Sequence, residues 1–170
     1  MVTGTLVAIE RPLDEINEPL FLLLRDYWRE AAAGRRCLPI KELRPERFAR
    51  ALEHTGLVER TETPRQGLRI RLCGGDMENK DFGIVRGAYL EDAQPEWYRD
   101  HLVGEITRAM GRAEPIHQSV KAEINNDTFQ FARLMLPLTG GTGDCDVLLI
   151  ATVRPSSTLV TAMRARLTLA

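Results

Sequence analysis

Two segments near the C-terminal end are apolar on both faces, and this constrains the fold more than any other feature. In TFQFARLMLPL (128–138), Phe129, Phe131 and Met135 share one parity, while Ala132, Leu134 and Leu136 share the other. In CDVLLIATV (145–153), Val147, Leu149, Ala151 and Val153 oppose Leu148 and Ile150. Strands of this kind need a covering layer on each side. IHQSVKAEIN (116–125) differs: Val120, Ala122 and Ile124 alternate with Ser119, Lys121 and Glu123, which reads as a peripheral strand with one wet face.

Two more strands precede these. GLVERTE and GLRIRLCGG are joined by TPRQG and form a hairpin pattern. A longer helix is expected from about Pro95 to Met110, carrying Trp97, His101, Leu102, Ile106 and Met110. Because no helix separates the last three strands, antiparallel pairing is the economical arrangement. The expected fold is α+β: a five-stranded antiparallel sheet with small helices and one longer helix on one face.

The N-terminal helices must then cover the other face or lie at a dimer interface. Asn17 reads as a cap, Pro19 falls in the first turn, and Gly34 ends the helix. Leu20, Leu23, Leu24, Tyr27 and Trp28 recur at helical spacing and are the candidate dimer-interface residues. A second helix opens at Pro45, with Phe48, Ala49 and Leu52 inward. The expected domains are a helical lead over 1–56, a sheet-bearing core over 57–154, and a tail or short helix over 155–170. That last helix would be capped at Ser156 or Ser157, with Leu159, Val160, Met163 and Leu167 as its stripe.

Composition narrows the function. With 23 Lys+Arg against 24 Asp+Glu and a net charge of -1, no basic field exists to hold a phosphate backbone. LFLLL and VLLIATV are too short to cross a bilayer, and the N-terminus lacks a basic segment followed by an apolar one. Three widely spaced cysteines, Cys37, Cys73 and Cys145, do not suggest a disulfide framework, and the cytoplasm is the expected compartment.

Two strands, irregular helical turns, one longer helix and three strands is the connectivity of a PAS domain. Trp28, the segment Gly34-Arg35-Arg36-Cys37-Leu38-Pro39, Leu72-Cys73-Gly74 and Leu136-Pro137-Leu138 resemble, in order and spacing, a bacterial PAS-like family with a helical lead. The resemblance covers roughly residues 20–154. It departs where only Ile84, Val85 and Arg86 separate Gly83 from Gly87. It implies a sensory or interaction module that is not an enzyme, contacts a signalling protein, and holds a small molecule between sheet and helices; the doubly apolar strands and the apolar N-terminal helix add the expectation of a homodimer.

The pocket is expected from Leu72, Met77, Phe82, Leu90, Trp97, Phe129, Phe131 and Met135. A ligand-free adaptor is the alternative, since the same residues also make a core. His101 sits where haem-binding PAS domains carry an axial ligand, although Arg99, Asp100 and Glu105 surround it. Cys73 lies out of phase with Ile70 and Leu72, and the Asn-Cys-Arg context of flavin-adduct photosensors is absent. An isomerase-like enzyme would need a pocket acid; Glu123 and Asp146 are the strand carboxylates, neither with an evident partner. The glycines of CGGDMENKDFG lack a phosphate-loop signature and read as a strand exit.

Overall fold

A computed structural model describes residues 3–153. Its strands are β1 (Gly4–Arg11), β2 (Leu38–Pro39), β3 (Thr55–Thr61), β4 (Gly67–Cys73), β5 (Ile116–Ile124), β6 (Asp127–Thr139) and β7 (Val147–Val153). The α-helices are α1 (Pro19–Ala32) and α2 (Glu96–Arg112), and several 3-10 segments lie among the connections. The strands form one sheet in the order β1-β5-β6-β7-β3-β4, and the two-residue β2 adds in parallel to the end of β6.

The doubly apolar strands behave as their pattern requires. Leu134, Leu136, Val147, Leu149 and Ala151 bury against Phe21, Leu24, Tyr27 and Trp28 of α1. Met135, Leu148 and Ile150 bury on the opposite face with Ile106, Ala109 and Met110 of α2. The sheet therefore separates two cores, each with its own helix.

This places the candidate dimer residues inside the chain. Leu24, Tyr27 and Trp28 are buried in the α1 core, and Leu20 and Leu23 pack half-buried against it. Helix α1 covers its own sheet, so the apolar pattern of α1 gives no argument for a dimer. The Trp28 indole N–H donates to the Pro137 carbonyl at 2.9 Å. That carbonyl lies beyond Met135, opposite which β5 begins with Ile116, and the indole gives it a partner.

Several local expectations need correction. The α1 cap is Glu18, whose carboxylate accepts from Leu20 N, rather than Asn17; Pro19 is the first helical residue. Pro45–His54 is a kinked 3-10 segment rather than an α-helix. A three-residue period places Phe48 and Ala51 on one buried face and leaves Ala49 exposed. Strand β5 is not an edge, because β1 pairs with it from His117 to Ile124. The alternation of half-buried and exposed residues in β1 is short, ending before Arg11, and gives a weak strand signal. The expected helix after Ser156 lies outside the described residues.

The paired glycines have a steric role. A Cβ on Gly74 would stand 2.3 Å from the Leu52 carbonyl oxygen and 2.6 Å from that of Glu53, both backbone atoms that cannot rotate away. Gly74 thus lets the end of β4 pass against the 3-10 segment leading into β3. Gly74→Ala is expected to destabilise the chain by about 2 kcal/mol or more, against a near-neutral Gly75→Ala, whose Cβ meets nothing within 4 Å. Urea denaturation of the two variants measures the difference.

Candidate functional site

Between α2 and the sheet lies a cavity of about 100 Å³, lined across the sheet's width from Leu6 of β1 to Cys73 of β4. Val58, Ile70, Leu90, Ile106 and Ile150 are among its apolar lining residues. Of the residues expected there, Leu72, Met77, Leu90 and Phe131 do line it. Phe82 instead packs at a tilt against Tyr98, with 5.0 Å between ring centroids, and is buried in the core. Met135 is 0 % exposed in the same core, one pleat away from the opening. Trp97 lies over Gly4, where a Cβ would come within 2.6 Å of its ring, and so covers the sheet edge. Phe129 is half-buried opposite Ala122 and does not reach the cavity.

Cys73 does face the cavity, contrary to the parity of its strand. The pairing of β3 with β4 shifts between Leu57 and Val58: Val58 faces Ile70, Leu57 faces Leu72, and Arg71 is the extra residue. A bulge of this kind resets parity, which brings Cys73 to the same side as Ile70. Burial pushes its thiol up to about 11, with Glu78 adding to the effect, so it remains protonated at neutral pH.

The cavity has a polar centre in which His101 meets Arg133, a residue with no role in the sequence reading. Arg133 of β6 is 3 % exposed and lines the cavity midway across the sheet. Its Nε donates to Gln118 Oε1 at 2.9 Å, and Gln118 Nε2 donates to Glu105 Oε2 at 2.6 Å. Arg133 Nη2 stands 3.1 Å from His101 Nε2 and 3.8 Å from Glu105 Oε2. Glu105 also pairs with Arg108 at 2.8 Å. Two residues of α2 are thereby tied to two central strands. The sequence did hold a signal: Gln118 and Arg133 sit on the inward parity of adjacent strands and are directly paired.

The charges of this cluster follow from its burial. Desolvation pulls Arg133 down to about 10, opposed by Glu105, so the guanidinium stays charged at neutral pH. Burial pushes the Glu105 carboxyl up, but the hydrogen bonds from Gln118 and Arg108 together with the charges of Arg108 and Arg133 outweigh it and leave a net downward shift. His101 is drawn down to about 4, first by burial and then by the Arg133 charge, against Glu105.

A guanidinium only donates, so His101 Nε2 must accept and the proton resides on Nδ1. That arrangement does not fit an axial haem ligand, because Nε2 is already engaged. A haem or a flavin also needs far more room than about 100 Å³. The strand carboxylates lie elsewhere. Glu123 pairs with Lys121 at 2.6 Å on the exposed face, and Asp146 accepts from Gly140 N at 2.7 Å in the β6–β7 loop. Among the described residues, no group of three His, Cys, Asp or Glu is placed to hold a metal ion, and no helix is long and apolar enough to cross a membrane.

His101 gives a pH prediction. Its folded pKa lies below the ordinary value near 6.5, so the unfolded chain binds more protons between the two. Its contribution is complete above about pH 6.5 and is lost as pH falls toward 4. The charged groups facing it are Arg133 and Glu105. A histidine titration by NMR should find the His101 ring unprotonated at pH 5.5; a midpoint near 6.5 would contradict the buried arrangement. His101→Gln should flatten the stability decline across this window.

Without β1 and β2, the sheet reads β5-β6-β7-β3-β4, with the short segments and α2 inserted between β4 and β5. This is the expected connectivity. The core is PAS-like. No family model matches the chain, and no curated protein matches it either. A solved structure of an RNA-binding light-oxygen-voltage receptor aligns at 12% identity with a TM-score of 0.39. That alignment covers 99% of this chain and 43% of the receptor, so the chain spans less than half that protein's length. The strand order, rather than this distant likeness, defines the PAS-like core.

Proposed function

We propose that the chain is a PAS-type sensory module that binds a small molecule between its sheet and α2 and passes the event to another protein by contact. The observation that carries this reading is the apolar cavity with one buried, charged guanidinium at its centre, linked directly to α2. An occupant touching Arg133 would disturb its bonds to Gln118 and His101 and so shift α2 against the sheet. We read the site as non-catalytic. Its thiol is held protonated, and Glu123 and Asp146 are committed to other contacts.

Native mass spectrometry of gently purified protein tests the proposal. A retained molecule, or a ligand-induced change in α2 hydrogen exchange, supports a sensor. An empty chain whose α2 exchange responds to no small molecule supports the ligand-free adaptor instead.

A further inference from the structure

The lining of the cavity restricts the chemistry of its occupant. Among the described lining residues, Arg133 is the one charged at neutral pH; His101 is neutral there, and no carboxylate lines the wall. Charge near Arg133 is only partly balanced from within. Glu105 stands 3.8 Å from its Nη2 and already serves Arg108 at 2.8 Å, so two guanidiniums share one carboxylate. A buried cation in such surroundings favours an anionic partner and disfavours a cationic one. The remaining wall is mostly hydrocarbon, with Cys73, Asn79, Tyr98 and Thr152 as its uncharged polar groups, and it offers no second cation to pair a second carboxylate. Size sets the last limit: about 100 Å³ is smaller than the ~150 Å³ cavity that accommodates benzene.

We infer that the pocket takes a short-chain aliphatic monocarboxylate, its carboxylate against Arg133 and its chain among Val58, Ile70, Ile106 and Ile150. The inference rests on the reading of the cavity as a ligand site. With one N–H committed to Gln118 and another to His101, the carboxylate draws on the other N–H groups of the guanidinium, beside Tyr98. A charge-assisted hydrogen bond there outweighs its neutral counterpart, which separates the acid from its amide. Amino acids are disfavoured because their ammonium would find no anion on the lining.

The test is calorimetric titration of the wild-type chain with sodium butanoate, butanamide, butylamine and succinate at one ionic strength. Butanoate should bind about tenfold more tightly than butanamide, with butylamine and succinate weaker still. It should also shift the His101 Cε1 resonance of the wild-type protein, a readout needing no variant. Arg133→Met should remove the preference for butanoate; if that variant fails to fold, the wild-type resonance shift decides. Tighter binding of the amide or the amine, or an unmoved His101 resonance at saturation, overturns the carboxylate while the pocket remains a ligand site. If none of the four binds and native mass spectrometry finds the chain empty, both the ligand class and the sensory reading fall.

Discussion

Arg133→Ala should destabilise the chain by about 3–5 kcal/mol, the cost of breaking a buried, paired charge by removing one partner. Truncation leaves Gln118 Oε1 and His101 Nε2 without their donor and deprives Glu105 of one of its two nearby guanidiniums. Since folded domains are stable by about 5–15 kcal/mol, this is a large part of the total. Arg133→Met refills the volume and should cost less, though the two acceptors remain unsatisfied. Arg133→Lys should fall between, because a single ammonium cannot reproduce the planar fork that reaches Gln118 and His101 together. Denaturant titration by circular dichroism ranks the series. In any variant that folds, loss of the Arg133 charge should also let the His101 pKa rise, since that charge is the second cause holding it down. A merely space-filling arginine would leave the histidine titration unmoved.

The layering was legible because alternation in β6 and β7 is a direct record of two covered faces. The parity of Leu134 against Met135, and of Leu149 against Leu148, places each in the core it occupies. Where the pattern misled, a local backbone feature intervened. A bulge at Arg71 turned Cys73 inward, and a three-residue period exchanged Ala49 for Ala51. The pocket was harder to read. A large apolar residue carries the same sequence signal whether it fills a core, as Met135 does, or lines a cavity, as Met77 does. The informative residues were the polar ones on inward parity, Gln118 and Arg133, because a buried charge needs a reason.

The motif residues that carry the PAS resemblance serve a different purpose from the pocket. Trp28 meets Pro137, Leu38 pairs with Leu138, and Gly74 passes against Leu52 and Glu53. All three contacts fasten the helical lead to the sheet. Trp28→Ala should therefore cost about 3–5 kcal/mol, by opening a void in the α1 core and leaving the Pro137 carbonyl without its donor. Trp28→Phe keeps most of the packing and loses the hydrogen bond, so it should cost about 1–2 kcal/mol. Because α1 and the cavity lie on opposite faces of the sheet, Trp28→Phe should leave the His101 titration as in the wild type. Urea denaturation and a histidine titration on the same samples test both halves of that expectation. A Trp28→Ala variant as stable as the wild type would mean that the lead is not part of the cooperative core, and that the sheet folds without a layer over its α1 face.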